Sequence, residues 1–227
     1  MAKHRNRDSS PTGLTGVFQA WRGYIQRYTD RVTWSCAGRD IPDAIFWTTE
    51  RANVGGLAVS ACLAGGVASE EYGQLKNWKR GAYAGRADLF VRTGEGRQFA
   101  FEAKQCWVWI GPRCNADQRQ WGRVIKTLRS ATREADVRLP SELGVTRVGL
   151  VFLVPGVGQR GVNAKDLGQL WRHERKRAVE KGLARIVDET GCLVERSWLR
   201  EPAFDPSGEI PCIYPGVVAL ALKGKSA

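Results

Sequence analysis

Asp88, Glu102 and Lys104, in the middle of the chain, are residue types that can hold a divalent metal ion and handle a phosphate. They lie in GRADLFVRTGEGRQFAFEAKQ, residues 85–105, which reads as two strands joined by a Gly-rich turn at Thr93-Gly94-Glu95-Gly96. The first strand, 87–92, carries Asp88. The second, 98–105, carries Glu102 and Lys104 two residues apart, which puts both on one face. Phe99, Phe101 and Ala103 then point to the other face, toward a core. Partly buried charge needs partners, and two carboxylates in one place repel until a cation sits between them. A divalent metal ion serves both at once.

The elements that must position these residues follow from periodicity. Phe18, Trp21, Tyr24, Ile25 and Tyr28 predict a packing helix over 14–28, and a connector with a short strand at 32–36 follows. Asp40 or Asp43 starts a largely buried helix from Ile45 to about Gly65 that carries Glu50. Glu70 and Glu71 fall in a predicted short helix. The basic stretch 76–86, with Lys76, Lys79, Arg80 and Arg86 around Trp78 and Tyr83, has two open readings: a phosphate-gripping surface or a solvated loop. An apolar stretch, 106–112, continues the second acidic strand.

Asn115 or Asp117 then opens a helix to about Leu139, with Trp121, Val124, Ile125, Leu128, Ala131 and Ala135 as its apolar stripe. Arg119, Arg123 and Lys126 lie opposite, and no acid interrupts the basic face until Glu134. That face is read as tracking phosphates. The run 145–154 is a central strand covered on both faces. Beyond it come a helix over 166–181, strands at 183–188, 192–198 and 217–222, and a Pro-rich loop over 202–215. His173 belongs to a basic cluster and reads as a surface residue.

This order, with Asp88 followed by Glu102-Ala103-Lys104 on the next strand, resembles the PD-(D/E)XK superfamily of restriction-endonuclease-like nucleases. Ala87 stands where that superfamily's proline would be. The resemblance implies an α/β fold with a mixed central sheet flanked by helices. The nuclease-like domain would span 13–227, with its core at about 41–155 and a C-terminal extension over 156–227, after a basic flexible tail at 1–12. It implies Asp88, Glu102 and Lys104 as catalytic residues. It also implies Mg²⁺, with Mn²⁺ as the alternative, held by Asp88, Glu102, the Ala103 carbonyl and Glu50, with Glu70 or Glu71 as rivals for the last place. Gln105 is a weaker candidate for orienting substrate. Gln118 and Gln120 lack the tyrosine that the helicase-associated members place four residues on.

The resemblance implies DNA ahead of RNA as substrate, and charge fits a nucleic-acid partner: 35 Lys and Arg against 23 Asp and Glu give a net charge of +12. The start of the chain lacks an export signal, and no run reaches the ~18 apolar residues of a membrane span. A cytoplasmic protein away from membranes is expected, as a monomer or homodimer. The six scattered cysteines form no CxxC pair, which argues against zinc and favours buried, reduced thiols. Two other classes remain open: a catalytically silent nucleic-acid-binding module on this fold, and a phage or mobile-element interaction protein.

Overall fold

A computed structural model describes residues 13–36, 39–78, 81–111, 118–138, 144–158, 164–205 and 212–224. The tail at 1–12, Lys79 and Arg80 lie outside these residues. The first described element is helix α1 (Thr15–Arg31), whose Val17, Phe18, Trp21 and Ile25 are buried as the spacing requires. A ribbon of β1 (Thr33–Cys36) and β2 (Arg39–Pro42) follows. Only β1 was expected. The ribbon leads into α2 (Ile45–Thr48), where Asp43 Oδ1 accepts the Ala44 N–H at 2.8 Å and Oδ2 accepts the Tyr28 hydroxyl at 2.9 Å. Burial, then Asp43, raises the Tyr28 pKa to about 12.

The expected single helix over 45–65 is broken at Thr49, which caps a new helix, α3 (Glu50–Leu63), by accepting the Ala52 N–H at 3.1 Å. Glu50 therefore stands in a first turn rather than in mid-helix. Next come β3 (Val67–Trp78), β4 (Gly81–Arg92) and β5 (Gln98–Trp109), each 12 residues long. This corrects two expectations. Glu70 and Glu71 sit on a strand, and the basic stretch 76–86 joins two strands of one hairpin. A solvated-loop reading of 76–86 does not foresee that β3 and β4 pair from Val67↔Arg92 to Trp78↔Gly81. The apolar stretch after Gln105 belongs to β5 as far as Trp109.

Helix α4 (Gln118–Arg138) crosses to β6 (Val145–Gly158), which lies parallel to β5. Helix α5 (Ala164–Leu170) passes through a π-turn at Trp171–Arg175 into α6 (Lys176–Thr190). The expected strand over 183–188 is the last part of α6. Val179, Leu183 and Ile186 are buried at i, i+4 and i+7, and left-handed Gly191 closes the helix. The Pro-rich loop over 202–215 is also shorter than expected, since β7 (Leu193–Asp205) and β8 (Cys212–Lys223) reach into it from both sides.

The main sheet has six strands in the order β3-β4-β5-β6-β8-β7, antiparallel except for β5–β6. It separates two apolar cores. One packs α1, α2 and α3 against Phe99, Phe101, Ala103, Leu150 and Phe152. The other packs α4, α5 and α6 against Cys106, Val108, Val151 and Leu153. Alternate residues of β5 and β6 thus serve opposite layers. Close approach of α4 depends on Gly149, where a Cβ would come within 2.3 Å of the Thr132 backbone nitrogen. Gly149 pairs with Glu102 across the sheet.

Among the described cysteines, Cys106 and Cys192 are buried, Cys212 is half-buried and Cys62 exposed, all as free thiols. Burial pushes the Cys106 and Cys192 thiols up. Among the described residues, no helix is long and apolar enough to cross a membrane.

Candidate metal centre on the free edge of β5

The site begins where two strands part. β4 and β5 pair from Arg92↔Gln98 to Leu89↔Phe101, while the remainder of β4 stays with β3. Beyond Phe101 the edge of β5 is bordered by side chains. Asp88 Oδ2 accepts the Ala103 N–H at 2.7 Å. The Gln105 N–H is directed at the Glu50 carboxylate. Arg123 Nη2 donates to the Trp107 carbonyl at 2.8 Å. Gln120 then accepts the Trp109 N–H at 2.8 Å and donates to its carbonyl at 3.1 Å. Residues 103, 105, 107 and 109 present their backbone groups to this same edge, because a strand alternates its hydrogen-bonding sides. Two acids border one end of the edge, and two α4 side chains border the other.

Glu50 reaches this edge because the α2–α3 break turns its helix end toward β5. Asn53, fully buried, holds the elbow: its Nδ2 lies 3.1 Å from the Phe46 carbonyl and 3.2 Å from that of Thr49. The same nitrogen lies 3.1 Å from Gln105 Oε1. Gln105 is thus turned toward the elbow, on the face away from Lys104. Its side chain supports the site instead of facing a substrate.

Glu102 and Lys104 point to the α4 face. Glu102 is 2% exposed, and Lys104 is half-buried, with Nζ 3.7 Å from Glu134 Oε2 on α4. Ser130 Oγ donates to the other Glu134 oxygen at 3.2 Å. Burial raises the pKa of Glu50. Lys104 and the Gln105 N–H work the other way, while the charges of Asp88 and Glu102 add to the rise. Glu50 therefore senses the other three charges, and the structure sets Asp88, Glu102 and Lys104 within that electrostatic reach. It does not bring Glu70 or Glu71 there. Glu70 lies beside Gly55 of α3, and Glu71 pairs with Arg51 and Arg86. Glu71 is also the described non-glycine residue with positive φ, 48°.

The donor set suits a hard cation: two or three carboxylates and the Ala103 carbonyl, which leaves β5 on the same edge as the Ala103 N–H that Asp88 accepts. A divalent ion there would relieve the repulsion felt at Glu50. Among the described residues, no three acidic, histidine or cysteine side chains already form a tight metal cluster. Gathering them onto one ion requires the carboxylates to close in.

The basic residues divide. Arg86 is bound to Glu71. Arg119, Arg123 and Lys126 are all exposed, but Arg123 is tied to Trp107 on the site side of α4. Lys126 joins Arg129 and Arg133 in a groove of about 370 Å³ that also borders Glu189 and Ser130. Lys76 lies on β3. Sequence reasoning missed Gln120, Asn53 and Glu134 as site-shaping residues. The signal for Glu134 was present, since it is the acid that interrupts the basic face of α4.

No family model matches this chain, and no curated protein or solved structure matches it.

Proposed function

We propose that the chain is a metal-dependent nuclease that hydrolyses phosphodiester bonds of nucleic acid, DNA ahead of RNA, at the Ala103 edge of β5. The reading is carried by Asp88 on the Ala103 N–H, in electrostatic reach of Glu50, with Glu102 and Lys104 flanking Ala103 on the same strand. The element order supports it too: α3, the meander β3-β4-β5, α4, then β6 parallel to β5. A restriction-endonuclease-like core would require this order. The net charge of +12 supports a polyanionic substrate.

Asp88, Glu102, the Ala103 carbonyl and Glu50 would hold Mg²⁺ or Mn²⁺. When bound, the ion supplies a more acidic water and offsets negative charge on the phosphate. Lys104 sets an ammonium where charge grows on the phosphate oxygens, and Glu134 fixes its direction. In hydrolysis the water oxygen bonds to phosphorus and the bond to the leaving sugar oxygen breaks. The water proton passes to solvent, and the leaving sugar oxygen takes up a proton in turn, while Glu50 would stay with the ion as one of its carboxylates. The test is incubation with labelled single- and double-stranded DNA and RNA, with Mg²⁺, Mn²⁺ or EDTA. Cleavage with metal and none with EDTA supports the reading. Salt-sensitive binding without cleavage assigns the chain to the silent binding modules instead.

A further inference from the structure

The far end of β5 carries an aromatic ledge on the sheet face opposite Glu102 and Lys104, reaching over β6. Trp109 pairs in register with Gly156 of β6, and a Cβ at that glycine would sit 2.6 Å from the indole Cζ3 and 2.7 Å from Cε3. The indole therefore lies across the glycine, in room that a larger residue would fill. Trp107 stacks beside it, with centroids 6.3 Å apart and planes 15° apart. Tyr214 meets the two rings edge-on at 5.4 Å and 6.2 Å. Gln120 clamps the Trp109 backbone through both its N–H and its carbonyl. A large aromatic ring held this firmly is normally covered, yet Trp109 is 44% exposed.

We infer that Trp109 is a stacking platform for a nucleobase of a single strand that crosses the far end of β5 and turns over this face. The inference rests on nucleic acid being the substrate, as proposed above. Trp109 lies six positions beyond Ala103 on β5, roughly 20 Å of strand, so the base belongs to a nucleotide a few positions from the reacting phosphate. Exposed Arg123, anchored at Trp107 between the two, is the cation that faces the intervening backbone. Stacking on an indole accepts any base, so the ledge confers preference for unpaired strands without sequence preference.

The test is binding in EDTA, where cleavage is stopped, of a mixed-sequence single strand and of an abasic deoxyribose-phosphate chain of equal length. Trp109→Leu keeps apolar bulk and removes the π-face, while Trp109→Phe keeps a ring. The leucine variant should bind the base-bearing strand roughly 5- to 150-fold more weakly, with the abasic chain unaffected. The phenylalanine variant should recover most of the loss, and the log–log salt slope should not change. Equal weakening on both chains, or none on either, overturns the proposal and leaves the ledge to protein contacts or packing. Wild-type protein that prefers the base-bearing strand yet cleaves nothing with Mg²⁺ or Mn²⁺ would uphold the platform and remove the nuclease reading.

Discussion

Asp88 accepts the backbone N–H of Ala103 at 2.7 Å, just past Leu89↔Phe101, the last pair that β4 and β5 share. The carboxylate takes the place that a continuing strand would have filled. It is held against the edge at the residue whose carbonyl faces the same way, and its backbone bond leaves the other carboxylate oxygen for a cation. Removing this carboxylate should therefore remove the chemistry and also leave the buried Ala103 N–H without its acceptor.

Glu50 gives a pH test. Its raised pKa means that the folded protein holds this proton more tightly than the unfolded chain does. The resulting stabilisation is present below its ordinary value of 4.5 and is lost as pH rises through the folded value. At neutral pH without metal, the charged form is a burden. Glu50→Gln should then melt higher than wild type in EDTA at neutral pH, and the gap should close in acid. A glutamine variant that melts lower at neutral pH would contradict the environment described for Glu50.

Gly149 tests the packing that brings α4 to the site. A methyl group there would meet the Thr132 backbone at 2.3 Å, and backbone cannot swing aside as a side chain can. Gly149→Ala should destabilise the fold by about 1–3 kcal/mol in denaturant melts. Any cleavage activity should fall with it, since α4 carries Glu134, Gln120 and Arg123. A neutral substitution would mean that α4 sits farther from β6.

Much of this arrangement could be read from the sequence, and the failures have physical causes. The strong helical stripes of α1 and α4 and the buried run of β6 were visible because their periodicity is sustained. The hairpin around Gly94 was visible because its turn chemistry is specific. β3 was missed because Ser69, Glu70 and Glu71 look like a helix start, and its pairing with β4 is a nonlocal fact. The end of α6 reads as a strand in sequence because its β-branched Ile186 and Val187 outweigh its helical spacing. Asp88, Glu102 and Lys104 stood out by type and spacing. The partners of the β5 edge did not, because Gln120, Asn53 and Glu134 are meaningful by where α3 and α4 dock.

The basic face of α4 predicts a salt dependence. If Arg119, Arg123 and Lys126 contact phosphates, replacing each by Ala should lower the log–log salt slope of nucleic-acid binding by roughly 0.7 to 0.9. Arg123→Ala should also loosen the Trp107 edge, so it should weaken binding more than the other two. An unchanged slope in the triple variant would take this face out of the interface.

The central claim is that Asp88, Glu102 and Lys104 act together on one metal-bound phosphate. The most direct measurement compares cleavage with Mg²⁺, and binding in EDTA, by wild type, Asp88→Ala, Glu102→Ala and Lys104→Ala on one labelled nucleic acid. Wild type should cleave, and both acid variants should lose cleavage while binding as well as or better than wild type, because each removes a negative charge from a phosphate site. Lys104→Ala should lose cleavage by about 100- to 1000-fold and bind slightly less well. A wild-type protein without metal-dependent cleavage on any nucleic acid, or acid variants that cleave as fast as wild type, would contradict the claim.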